Sequence, residues 1–242
     1  EPGARVGVWM KNRPEYLTAL WGIFAAGGVA VPISSFFKPE EASYLISDSE
    51  IKTLITDSDL AGMVESLQSK HPELGAIKID QDKLPEAGAD WSEVVGNESD
   101  LACLVYTSGT TGRPKGAMLT HGNFLSNVRS CQQVLKVEEN DRFVLLLPMY
   151  HSFMLCVCEM VPLLSGSSIV LIKSLHPPRN ALQEIIKHKA TILPGVPAFF
   201  RSLVAAQLPD GVEWPLRLCV SGAAPLPLQT LNAFNEKFAF PL

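Results

Sequence analysis

The stretch LVYTSGTTGRPKGAMLTH, Leu104–His121, lies near the middle of the chain and decides how the rest is read. It is entered through LACLVYT, Leu101–Thr107, an apolar and β-rich run that predicts a buried strand. Thr107, Ser108, Gly109, Thr110, Thr111 and Gly112 then follow without a break. Gly and Ser disfavour the interiors of helices and strands alike, so this run predicts a loop. An ordinary turn needs only about two such residues at its centre. A polar loop of this length, fed by an apolar strand, is built to hold something.

The alternation around it supplies the fold. Before the loop, RVGVWM (5–10), VAVPI (29–33), TLIT (53–56) and AIKI (76–79) read as strands. Between them PEYLTALWGIFAAGG (14–28), PEEASYLISDS (39–49) and DLAGMVESLQSK (59–70) have helical apolar spacing. Glu40 and Glu41 read as a helix N-terminal turn. Residues 80–99 are acidic, with scattered Pro and Gly, and read as a surface connection. After the loop, helices at 120–135, 152–164, 179–189, 197–207 and 227–238 alternate with strands at 142–149, 167–172, 190–195 and 216–222, with Thr120 as the cap of the first. Apolar strands alternating with helices predict an α/β protein of mostly parallel sheets covered by helices. We expect two α/β subdomains, 1–99 and 100–242, the second carrying the loop. The abrupt FAFPL ending is read as the edge of a piece of a longer protein.

Bulk properties exclude several functions. With 242 residues, 47% of them hydrophobic, the chain can bury one large core or two modest ones. A net charge of -5 and no basic stripe argue against a nucleic-acid footprint. MLCVCEMVPLLSG (154–166) is the most apolar run, and it is too short for a membrane span and carries Glu159. Cys103, Cys131, Cys156, Cys158 and Cys219 lie in apolar runs and read as reduced thiols in a reducing, cytoplasmic setting. The spacing of Cys156 and Cys158 does not suit a zinc pair.

The loop has the parts of a phosphate cradle. Backbone N–H groups in a Gly-rich turn make an anion site, hydroxyls can donate to phosphate oxygens, and a helix starting near Thr120 could add its positive end. Lys115 supplies a mobile positive charge, and Pro114 stiffens the chain before it. The Walker spacing fails, because the position before Lys115 is Pro114 and the one after is Gly116. The Rossmann G-x-G-x-x-G fails as well.

YTSGTTGRPKGAMLTH resembles the phosphate-loop signature of the adenylate-forming, AMP-binding enzymes, which include the acyl-CoA synthetases or fatty-acid–CoA ligases. LLLPMYHSF (145–153) is similar to the family's aromatic/His motif, and CVSGAAPLP (219–227) to its adenine-side segment. VGVWMKNRPEYLTALWGIFAAGGVAVPI (6–33) also has the family's look, so the resemblance covers essentially the whole chain. It implies the large N-terminal domain of an acyl-CoA-synthetase-like fold, without the small C-terminal lid domain and its catalytic lysine.

The implied activity is ATP-dependent conversion of a carboxylic acid to an acyl-adenylate, then thioester formation with coenzyme A. Thr107, Ser108, Gly109, Thr110, Thr111, Gly112 and Lys115 would hold the β- and γ-phosphates. Thr107 would add a ligand to Mg2+, and Gly222, Ala223, Ala224 and Pro225 would lie along the adenine. His151, Phe153, Met154 and Gly222 would border the acid, with His151 gating or orienting it; a carboxylate ionised at pH 7 needs no general base. Met154 stands where related ligases carry Gly. His121 reads as structural. Phe153, Met154, Leu155, Phe199 and Phe200 read as core or, where they line a pocket, as favouring an alkyl chain. We expect a medium- or long-chain fatty acid, with an acyl-ACP synthetase, an aryl-acid ligase or a non-catalytic nucleotide-binding module as the rivals. The isolated piece is expected to be inactive or nearly so. Partners are small molecules, with a homodimer and a peripheral membrane contact left open.

Overall fold

A computed structural model describes residues 1–82, 94–107, 113–173, 179–206 and 213–242. They form two compact units, Glu1–Ser126 and Asn127–Leu242, each an α/β assembly built on one sheet. No helix among the described residues is long and apolar enough to cross a membrane.

The first unit runs β1 (Arg5–Trp9), α1 (Pro14–Ala25), β2 (Val29–Pro32), α2 (Pro39–Ser49), β3 (Thr53–Thr56), a 3-10 turn (Ser58–Leu60), α3 (Ala61–Lys70), β4 (Gly75–Lys78), β5 (Leu101–Thr107) and β6 (Lys115–Thr120), and α4 (His121–Leu135) begins at its end. Its six strands stand in the order β4-β3-β1-β2-β5-β6. The first five are parallel and only β6 is antiparallel. Parallel neighbours need crossovers, and α1, α2 and α3 supply them. α1 ends in a Schellman motif that only a left-handed residue allows. Gly27, at φ +67°, donates to the Phe24 carbonyl, and Gly28 donates to that of Ile23. α2 begins with Pro39 at its first position, and the Glu41 carboxylate accepts from the Lys38 N–H at 2.8 Å. Its inner face, Ala42, Leu45 and Ile46, is buried with Trp9, Val31 and Leu54.

The second unit runs β7 (Arg142–Leu145), α5 (Ser152–Met154), a π-helical segment (Leu155–Met160), α6 (Val161–Leu164), β8 (Ser168–Leu171), α7 (Arg179–Lys187), β9 (Ile192–Gly195), α8 (Pro197–Ala205), β10 (Leu218–Ser221) and α9 (Leu228–Lys237). Four parallel strands stand in the order β10-β9-β7-β8. Its core includes Phe200, Phe234, Phe238 and Phe240, with Phe200 meeting Phe234 edge-to-face at 5.7 Å. A partly buried ion pair sits at the N-terminal ends of β7, β9 and β10. Asp141 accepts from the Arg217 guanidinium (2.8 Å from Nε), from the Thr191 hydroxyl (2.7 Å) and from the Glu138 N–H (2.8 Å). Burial pushes the Asp141 carboxyl up, but these donors outweigh it and hold it below the usual range. The same guanidinium donates to the carbonyls of Leu135 and Lys136 at the end of α4.

The α/β reading holds; the two units divide after Ser126 and not at 99/100, so β5 and β6 belong to the first unit and not the second, and three further differences concern single elements. The expected strand at 142–149 stops at Leu145. The expected continuous helix at 152–164 contains the π-helical turn. Pro162 has no N–H to offer the Cys158 carbonyl four residues earlier, and a widened turn ahead of a proline accommodates such a gap. The third difference is β6, which the sequence reading missed and which changes the geometry of the loop.

Candidate functional site

β5 and β6 form an antiparallel hairpin whose last register pair is Thr107 with Lys115. Opposed residues of such a pair stand roughly 5 Å apart at Cα. The two flanking residues that the sequence singled out are therefore brought face to face, both exposed at the rim of the sheet. Ser108, Gly109, Thr110, Thr111 and Gly112 lie outside the described residues. Lys115 is engaged in no ion pair among the described residues.

The positive end of α4 is not at the Thr107–Lys115 end of the hairpin. Leu101 pairs with Thr120 at the opposite end of the hairpin, and α4 starts at His121. Six residues of extended β6 separate the loop from the helix, and at 3.4 Å each they span about 20 Å. The expected helix-dipole contribution to the phosphate cradle is withdrawn. Thr120 is instead the helix cap: Asn123 N–H donates to its Oγ1 at 3.1 Å, and Asn123 Oδ1 accepts from the Thr120 N–H at 3.0 Å. The His121 ring packs edge-to-face on Phe24 at 5.4 Å.

Three residues that the sequence reading passed over reach the loop's stems. The Tyr44 hydroxyl on α2 donates to the Pro114 carbonyl at 3.1 Å. The Tyr106 hydroxyl donates to Asp48 Oδ2, also on α2, at 2.5 Å. The Tyr106 ring lies over Gly116, where a Cβ would stand 3.1–3.4 Å from its atoms. No periodicity signals these contacts, since the partners are 70 and 58 residues apart.

In the second unit, His151 is exposed and caps α5: its Nδ1 accepts from the Phe153 N–H at 3.2 Å. That bond leaves the ring's proton on Nε2 in the neutral form. Phe153 lies on Gly222, and a Cβ at that glycine would meet ring atoms at 2.7–2.8 Å. Ala223 follows in the left-handed region, at φ +62°, a strained conformation for a residue with a Cβ. Ala223, Ala224 and Pro225 are exposed just past the end of β10. Met154, Leu155 and Phe200 are buried in the interior, while Phe199 is half-buried against Gly195. An apolar hollow of about 210 Å³, open to solvent at Val134, lies between Cys131, Val134 and Leu135 of α4, Val157 of the π-helix and Val220 of β10. Beside it Asn127 Oδ1 accepts from the Cys156 thiol at 2.7 Å and the Cys131 thiol at 3.6 Å.

No group of three or more His, Cys, Asp or Glu among the described residues could hold a metal ion. The Thr107 hydroxyl at the loop's entry is a neutral oxygen of the kind Mg2+ accepts alongside waters and phosphate oxygens, so it fits as one ligand.

Comparison with known proteins agrees with the family resemblance read from the sequence. The family model described as "AMP-binding enzyme" matches residues 1–242, and the chain belongs to that family. It is 31% identical over 243 residues to the 2-succinylbenzoate–CoA ligase of Bacillus velezensis, covering 99% of this chain and 47% of that protein. It is 27% identical over 277 residues to the long-chain-fatty-acid–CoA ligase of Bacillus subtilis, covering 98% and 49%. The inhibitor-bound N-terminal domain of FACL13 from Mycobacterium tuberculosis superimposes with a TM-score of 0.87 at 27% identity, covering 98% of this chain and 61% of that one. The chain spans about half the length of the curated relatives it matches.

Proposed function

We propose that the protein carrying this chain activates a carboxylic acid with ATP and transfers the acyl group to coenzyme A. The facing of Thr107 and Lys115 across the hairpin end, in a stretch, Thr107–Gly116, that resembles the family's phosphate signature, supports this reading. The carboxylate oxygen attacks the α-phosphorus, and the bond to pyrophosphate breaks. The thiol of coenzyme A then takes the acyl group and AMP leaves. The reacting groups repel each other, so catalysis lies in positioning and charge neutralisation. Lys115 is placed to counter the charge of the leaving pyrophosphate, and Thr107 Oγ1 to contribute an oxygen to magnesium held with the triphosphate. Magnesium, when bound, neutralises phosphate charge and orients the leaving group. Gly222 and the exposed Ala223, Ala224 and Pro225 would lie along the flat base. His151, held by its bond to the Phe153 N–H, orients the acid with Nε2.

The acid we propose is a medium- or long-chain fatty acid. The cavity lined by Val134, Leu135, Val157 and Val220 is apolar, and the family includes a relative named for long-chain fatty acids. A second reading, an aryl acid, is favoured by the succinylbenzoate-named relative.

ATP–pyrophosphate exchange on the full-length protein, against fatty acids of graded length and aryl acids, tests both. Exchange that requires a fatty acid and falls about a hundredfold or more in Lys115→Ala is expected. Exchange with aryl acids alone overturns the substrate. ATP binding without exchange for any acid overturns the activity in favour of a nucleotide-binding module.

A further inference from the structure

We infer that helix α2 positions Lys115: Tyr44 and Asp48, one helical turn apart, each tie down one of the two strands that carry Thr107 and Lys115, and so fix where Lys115 stands. This rests on the reading of Thr107 and Lys115 as phosphate-binding residues.

The two α2 residues are four apart, so they project from one face of the helix. The opposite face is fixed in the core through Ala42, Leu45 and Ile46. Tyr44 acts on the exit stem. Its hydroxyl holds the Pro114 carbonyl, directly before Lys115, and its ring lies 6.0 Å from the Arg113 guanidinium. Asp48 acts on the entry stem, through the hydroxyl of Tyr106, directly before Thr107. Tyr106 and Gly116 are register partners, and the Tyr106 ring covers that glycine, directly after Lys115. Both neighbours of Lys115 are therefore fastened by groups that lead back to α2. Burial and the Asp48 carboxylate both push the Tyr106 phenol above its ordinary pKa, so it remains a donor across physiological pH.

A clamp and a mere seal of the sheet's edge differ in what their loss disturbs. A clamp on the loop acts on the triphosphate, so its loss raises KM for ATP while the fold keeps its stability. The test is ATP–pyrophosphate exchange at saturating acid in the full-length protein, with thermal unfolding beside it. Tyr44→Phe removes one hydroxyl and is expected to raise KM for ATP about tenfold, the scale of one hydrogen bond, at an unchanged unfolding midpoint. Asp48→Ala is expected to do the same, while Asp48→Asn keeps an acceptor for Tyr106 and retains the wild-type KM. An unchanged KM in Tyr44→Phe, in an enzyme that shows acid-dependent exchange, overturns the clamp alone. A KM that rises only in step with lost thermal stability overturns it as well. A wild-type protein with no exchange removes the loop reading, and the clamp with it.

Discussion

The ring of Phe153 rests on the bare Cα of Gly222, joining the end of β10 to the first turn of α5. A methyl group at Gly222 would stand 2.7 Å from the ring's Cζ, well inside contact distance. Gly222→Ala is expected to lower stability by about 1–3 kcal/mol through overpacking. Adding Phe153→Leu should recover most of that loss, because the obstructing atoms go with the ring. Chemical denaturation of the two variants measures this. An equal loss in single and double variants would show that Gly222 is needed for some other reason.

The partly buried pair Asp141–Arg217 supplies the second prediction. Removing Arg217 leaves the buried Asp141 carboxylate without its main donor, but the Arg217 side chain is 34% exposed and water can reach the gap, so Arg217→Ala is expected to cost about 1–3 kcal/mol. Asp141 is held below its ordinary value, and so its contribution is complete above that value and disappears as pH falls through the lower, folded one. Asp141→Asn should therefore flatten the acid limb of the stability curve. Acid limbs of equal slope in wild type and variant would contradict the assignment.

Glu159 behaves in the opposite sense. It is fully buried in the π-helical segment, and neither carboxylate oxygen has a hydrogen-bond partner among the described residues. Burial raises its pKa well above 4.5. Above that value the unfolded chain releases this proton while the folded one keeps it, so stability falls as pH rises toward the folded pKa. Glu159→Gln, neutral throughout, should gain on the wild type by up to about 1.4 kcal/mol per pH unit in that window. Urea unfolding at several pH values measures the difference, and parallel curves would sink the prediction.

The thiols beside the apolar cavity should be slow to react. Burial pushes Cys156 up to about 12 from an ordinary 9.0, three pH units, and raises Cys131 as well. At neutral pH that leaves Cys156 about a thousandfold less thiolate than an ordinary cysteine. Labelling by a disulfide reagent should be slow in the native protein and complete once it is unfolded. Rapid labelling of Cys156 in the native state would refute this environment.

Much of this was open to reading in the chain. Strand–helix alternation located the parallel strands because each crossover helix leaves its own 3.6-residue pattern. Thr107, Lys115, His151 and Gly222 stood out because they sit in contiguous motifs. β6 did not, because KGAMLT opens with Lys and Gly, and Met118 is an exposed apolar residue on an edge strand. Missing it misplaced the positive end of α4. The Tyr44–Pro114 and Tyr106–Asp48 contacts were hidden for another reason: they join distant segments that only the folded sheet brings together.

The β5–β6 hairpin also has a place in time. Thr107 and Lys115 are close neighbours along the chain, whereas β2 and β5 must meet across about seventy intervening residues, from Ala30 to Cys103. Local pairings of this kind close in microseconds, long before distant parallel strands find one another. The segment with the candidate chemistry is thus set to take shape early, and the sheet then assembles around it.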